Sequence, residues 1–144
     1  MKRAAKVGLA LSAISLTLSG AVSVYAEQIA DLVLELNTVE DVGSACRLSF
    51  VAKNTTGQQI EKAVFETVIF DSTGSVVSLK LFDFRDLPMD RPRVRQFDLT
   101  DMACGDLGQA LINGTSSCVV GGVESTLCQS SLSLKSRIGV ELLG

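Results

Sequence analysis

From Glu27 to Gly144 the chain alternates apolar and polar residues with a period of two, broken by turn residues, and no stretch holds a helical period for three turns. Cys46 to Lys53 is the cleanest run. Cys46, Leu48, Phe50 and Ala52 fall on one side, and Arg47, Ser49, Val51 and Lys53 on the other. Successive side chains of a strand point to opposite faces, so this run reads as a strand with one buried face. Asp31 to Asn37 repeats the pattern with Leu32, Leu34 and Leu36, and polar Glu40 to Ser44 is the predicted turn between the two. Lys62 to Asp71 is apolar on both faces, with Val64, Val68 and Phe70 against Ala63, Phe65 and Ile69. Such a strand belongs in the middle of a sheet.

Turn chemistry separates these runs. Asn54-Thr55-Thr56-Gly57 is one corner, and Asp71-Ser72-Thr73-Gly74 closes a hairpin into Ser75 to Phe84, where Val77, Leu79 and Leu81 alternate with Val76, Ser78, Lys80 and Phe82. Both prolines, Pro88 and Pro92, lie in an irregular stretch from Arg85 to Pro92. Arg93 to Leu99 is a further strand. Cys104 to Gly114 is a strand, or one helical turn leading into a strand. Thr115 to Gln129, rich in Ser, Thr and Gly, reads as a loop, and Leu132 to Leu143 ends the chain with Ile138, Val140 and Leu142 on one side. About seven short strands with turns every 8 to 12 residues or so predict an all-β, immunoglobulin-like antiparallel β-sandwich.

Residues 1–26 have a different character. Lys2, Arg3 and Lys6 precede an apolar run from Val7 to Leu18, and Val24-Tyr25-Ala26 offers small residues where a signal peptidase reads. The apolar run is short of the roughly 20 residues a membrane span needs, so a cleaved export signal is expected, with no membrane insertion afterwards. Lys2-Arg3 is not paired arginine, which favours the general secretory route, and the short, simple leader looks bacterial. The mature chain is then Glu27 to Gly144, one domain in the periplasm or outside the cell. The whole chain carries 13 basic and 16 acidic residues; three of the basic ones leave with the signal and no acid does, so the net charge moves from −3 to −6. An acidic domain lacks the clustered lysines and arginines that nucleic acid or anionic lipid requires.

All four cysteines, Cys46, Cys104, Cys118 and Cys128, follow the leader and read as two disulfides that staple a small exported core. No C-x-x-C pair is present, and without histidine a zinc site would need all four thiolates. Three pairings are possible, and strand parity favours one. If successive strands run up and down, Cys46 opens a strand at the bottom and Arg93 to Leu99 delivers Cys104 to the same end. The next strand then leaves Cys118 and Cys128 at the top. Cys46–Cys104 and Cys118–Cys128 are therefore expected, worth about 4 and roughly 2 to 3 kcal/mol by loop entropy.

The stretch Leu48 to Val77, LSFVAKNTTGQQIEKAVFETVIFDSTGSVV, resembles the core of FxLYD-type extracytoplasmic immunoglobulin-like domains. There, a strand ends in Asn-x-(Thr/Ser)-Gly, and an apolar strand ends in an aromatic-Asp pair before a turn glycine. The matching residues are Asn54, Thr56, Gly57, Phe70, Asp71 and Gly74. The likeness implies a fold more than an activity. The cysteines and the segment Asp90 to Leu99 are similar instead to a group of uncharacterised exported alphaproteobacterial proteins, which implies no activity either.

Arg91, Arg93 and Arg95 recur at period two, so all three share a face if Arg91 extends the strand. Three guanidiniums in a row suit a carboxylate, a phosphate or an acidic partner, while the plainer reading is a solvated edge strand whose charges discourage sheet-to-sheet pairing. Asp83, Asp86, Asp90 and Asp98 stand ready as local ion-pair partners, and the first three lack the oxygen-ligand repeat of a calcium loop. Asp71 reads as a turn former. No histidine means no Ser-His or Cys-His pair, so no catalytic residue, metal or cofactor is expected. Asn54 and Asn113 head formal glycosylation triplets. With the only tyrosine inside the leader and no tryptophan, stacking on sugars is unsupported. The expected role is a non-catalytic module for protein interaction or envelope structure, with another envelope protein as partner. The alternative is a binder of a small anion at Arg91, Arg93 and Arg95. Oligomeric state is not legible.

Overall fold

The computed structural model describes residues 31–144, and the expected export signal, residues 1–26, lies outside them. Strand β1 (Leu32–Val42) turns at Gly43 and Ser44 into β2 (Ala45–Asn54). A second hairpin joins β3 (Ile60–Asp71) to β4 (Val76–Leu87), and β5 (Arg93–Thr100) then returns to lie beside β2. A 3-10 turn at Cys104–Asp106 leads into β6 (Leu107–Val120), which pairs with β3. The chain closes through β7 (Val123–Glu124), a single helical turn α1 (Leu127–Ser130), β8 (Leu132–Ser136) and β9 (Glu141–Leu143).

Two sheets result. One has the order β5-β2-β1-β8; the other has β4-β3-β6, with β7 and β9 both on the far edge of β6. Strands three apart in sequence pair in each sheet, β2 with β5 and β3 with β6. That interlocked connection is the one found in immunoglobulin-like sandwiches. The expected architecture is therefore present, and β3 is central in its sheet as its two apolar faces required.

The core follows the alternation. Leu32, Leu34 and Leu36 of β1 and Cys46, Leu48, Phe50 and Ala52 of β2 are buried against Ala63, Phe65 and Ile69 of β3. Phe50 sits among other rings, with centroids 5.4 Å from Phe84, 5.9 Å from Phe97 and 6.0 Å from Phe82, all edge-on, while Phe82 stacks on Phe97 at 4.1 Å. Each aromatic pair adds about 0.5 to 1.5 kcal/mol beyond its buried area. Gly108 passes so close to β3 that a Cβ there would lie 2.1 Å from the Asp71 carbonyl oxygen, so only glycine fits.

Both disulfides form as parity predicts, Cys46–Cys104 and Cys118–Cys128. The first joins the start of β2 to the turn after β5, which ends beside it because Cys46 pairs with Leu99. The second ties the end of β6 to α1. Two disulfides belong to an oxidising, extracytoplasmic setting. Among the described residues no helix is long and apolar enough to cross a membrane.

Four expectations are corrected. The turn expected over Glu40 to Ser44 shrinks to Gly43 and Ser44, because β1 continues to Val42 with Glu40 opposite Arg47, an opposite-charge cross-strand pair. β4 runs on to Leu87 through the stretch expected to be irregular, its register shifting around Arg85, whose φ is +59°. The loop expected over Thr115 to Gln129 is partly strand, since β6 stays paired with β3 as far as Val119 opposite Lys62. Finally, Leu132 to Leu143 is two strands in different sheets. β8 lies parallel to β1 and β9 parallel to β6, so the described residues form nine strands and the sandwich is not wholly antiparallel.

Candidate functional site

The arginine row lies on β5, and its orientation is set by β2. Ala52, Phe50, Leu48 and Cys46 face the core, and they stand opposite Arg93, Arg95, Phe97 and Leu99. Directly paired residues share a face, so Arg93 and Arg95 project inward at the margin where the two sheets part, with Val94 60% exposed on the other face. The solvated-edge reading does not describe these two arginines, which are inward and largely covered. Arg91 is elsewhere. It precedes the strand, separated by Pro92, and it is exposed with no ion pair among the described residues.

Arg95 ties the two sheets together. Its Nε–H donates to the Phe84 carbonyl at 2.6 Å, and one terminal nitrogen donates to the Asp86 carbonyl at 3.0 Å and to Asp86 Oδ1 at 3.3 Å. The other terminal nitrogen donates to the Val94 carbonyl at 3.2 Å. Its side chain is only 18% exposed. Arg93 reaches the same carboxylate, 3.8 Å from Asp86 Oδ2, so one aspartate on β4 serves two guanidiniums on β5. A planar, five-donor head suits this work better than a lysine would.

Beside this pair a groove is lined by Leu81, Asp83 and Arg85 of β4 and by Val94, Arg95, Gln96 and Phe97 of β5. Arg85 was not singled out by spacing, because its neighbours in the cluster lie on another strand. The available signal was its place between Asp83 and Asp86. Its backbone N–H donates to Asp83 Oδ1 at 2.8 Å, which supports the left-handed φ that a non-glycine residue rarely adopts. The structure thus brings Arg85 and Arg95 to one groove and Arg93 to the same aspartate as Arg95, with Arg91 in the segment between β4 and β5. Arg93 and Arg95 are held by internal partners, while Arg85 and Arg91 are exposed.

The opposite face of β5 carries a separate ion pair. Arg47 and Asp98, directly opposed across β2 and β5, make two hydrogen bonds of 2.7 and 2.8 Å, and the guanidinium holds the Asp98 carboxyl below its ordinary range. Both side chains are more than a third exposed. This pair orders the outer surface and takes no part in the groove.

Asn54 and Asp71 are turn makers. Asn54 is buried, its amide donating to the Gln58 and Leu87 carbonyls at 2.7 and 2.8 Å and its oxygen accepting from the Thr56 N–H and hydroxyl at 3.0 and 2.7 Å. All of its hydrogen-bonding capacity is used. Asp71 Oδ1 accepts from the Thr73 hydroxyl, the Thr73 N–H and the Ser75 N–H, and the Thr73 hydroxyl foremost lowers its pKa. Of the two formal glycosylation asparagines, Asn54 is thus buried, and Asn113 bonds to the Glu66 carboxylate.

Among the described residues no cluster of metal-ligating side chains occurs, and every cysteine is in a disulfide. Comparison with family models, with curated proteins and with solved structures finds no match for the chain.

Proposed function

We propose that the chain is an exported, non-catalytic immunoglobulin-like module that engages an acidic segment of another envelope protein at the arginine end of its β4–β5 side. The observation that carries this reading is the division of labour among Arg85, Arg91, Arg93 and Arg95, which fall between the end of β4 and the start of β5. Arg93 and Arg95 fix the local shape by holding Asp86 and two β4 carbonyls, and Arg85 and Arg91 flank them with their charges free for a ligand. A chain segment with spaced carboxylates can reach both, and the groove at Arg85 offers it Leu81, Val94 and Phe97 beside the charged groups. A small anion is the weaker reading, because the two most sheltered guanidiniums already have partners.

The reading also rests on the leader at residues 1–26 as a secretory signal and on the likeness to FxLYD-type domains. Paired disulfides agree with export. Because Arg95 is a structural tie, the clean test uses the exposed pair. Capture from a bacterial envelope extract is compared for wild type and Arg85→Glu/Arg91→Glu. Loss of the captured partner is expected, and undiminished capture would sink the proposal.

A further inference from the structure

β4 is the edge of its sheet, and its two halves differ. From Phe84 onward the edge is occupied, since Arg95 takes the Phe84 and Asp86 carbonyls and the strand is bent at Arg85. From Val76 to Phe82 no strand among the described residues pairs with the outer edge. This free half is apolar. Val76, Val77, Leu79 and Leu81 are each between 49% and 63% exposed. Leu79 also begins a row across the outer face of the sheet, opposite Val68, which is opposite Leu111, which is opposite Leu143. A long, bare apolar edge is a template for another strand.

We propose that Val76–Phe82 pairs antiparallel with the same segment of a second copy, with Leu79 on Leu79 at the two-fold axis. A strand that pairs with itself gives an isologous, closed interface. The free segment is centred on Leu79, so this register uses all of it. Val77 then faces Leu81 of the other copy, and Lys80 faces Ser78. Ser78 lines a groove with Asp71, Asp101, Asp106 and the chain's own Lys80, three carboxylates to one lysine, and the Lys80 of the other copy adds a second positive charge at its rim. Moving the register one way sets Lys80 on Lys80, like charge against like; moving it the other way puts Leu81 on Ser75. Charge and apolar matching select the same alignment. This surface lies on the other half of β4 from the arginine cluster, and the inference stands independently of the partner proposed above.

Sedimentation equilibrium of the mature chain tests it. The fitted mass is expected to rise toward twice the monomer mass with concentration, and amide exchange at Val76–Phe82 is expected to slow in step. Leu79→Lys, at an exposed position, places two like charges on the axis and holds the mass at that of the monomer at every concentration. Val123→Lys, at an exposed valine on the far edge, dimerises like wild type. A wild-type chain that stays monomeric overturns the proposal, as does a dimer that Leu79→Lys leaves intact. Protection of Val76–Phe82 by a captured envelope protein in a monomeric chain overturns it in favour of strand addition by that partner. Capture in the extract experiment should survive Leu79→Lys, whereas dimerisation should survive Arg85→Glu/Arg91→Glu, which keeps the two readings separable.

Discussion

On the β8–β9 side of the sandwich the closing strands are short, five residues in β8 and three in β9. The link between them is pinned: the Arg137 N–H donates to the Leu36 carbonyl at 2.9 Å, and the Ser136 hydroxyl bonds to the carbonyls of Ile138 and Val140. On the β4–β5 side the edge strands are long, twelve and eight residues, and side chains bridge them through the Phe82–Phe97 stack and Arg95. Short edges offer little to pair with, whereas long ones must be charged, tied or used. β5 and the second half of β4 are charged and tied to each other, whereas the first half of β4 carries a single lysine and no such tie. The difference is the reason recognition is proposed for the β4–β5 side.

The largest effect that tests this contrast comes from the two disulfides. Cys46–Cys104 spans 58 residues and encloses all of β3 to β5, while Cys118–Cys128 spans 10 on the other side. Replacing both cysteines of the long bridge by serine should cost about 4 kcal/mol in denaturant unfolding, against roughly 2 to 3 kcal/mol for the short one. The reverse order would mean that the β4–β5 side does not depend on its staple. Next comes Arg95→Met, which strips the Phe84 and Asp86 carbonyls of a charged donor and should cost about 2 kcal/mol, with Arg95→Lys recovering only part. The matched change on the other side, Arg137→Met, removes the surface contact with Glu35 and should leave the unfolding midpoint in place.

The smallest expected effect is that of pH. Asp71 and Asp98 on the β4–β5 side, and Glu35 and Glu124 on the other, all have lowered carboxyl pKa values. Hydrogen bonds are the main cause in each, led by Thr73, Arg47, Asn37 and the Cys118 N–H respectively. A lowered folded-state pKa means stability that is complete above the unfolded carboxylate range and is lost as pH falls through the folded values. Stability should therefore stay level through neutral pH, where no histidine titrates, and decline only in acid. A step near neutrality, seen in urea midpoints measured against pH, would contradict this.

The alternating runs of β1 and β2, the two-faced β3 and both disulfides were legible in the sequence, because period two and strand parity are local rules. The parallel placement of β8 and β9 was not. Leu132 to Leu143 reads as one apolar-rich run, and only the positions of β1 and β6 in space divide it between sheets. The direction of Arg93 and Arg95 was equally hidden. A charged alternation looks solvent-facing until its pairing with Ala52 and Phe50 turns it inward. Arg85 escaped notice because its companions lie on another strand, and Asp86 looked like one surface acid among several.

Recognition on the β4–β5 side is the central claim, and an exchange footprint tests it most directly. Backbone hydrogen exchange would be compared for the mature protein alone and bound to its captured envelope partner. Slowed exchange is expected from Arg85 to Gln96, around the arginine cluster. Slowing confined to Leu132 to Leu143, on the β8–β9 side, would contradict the account.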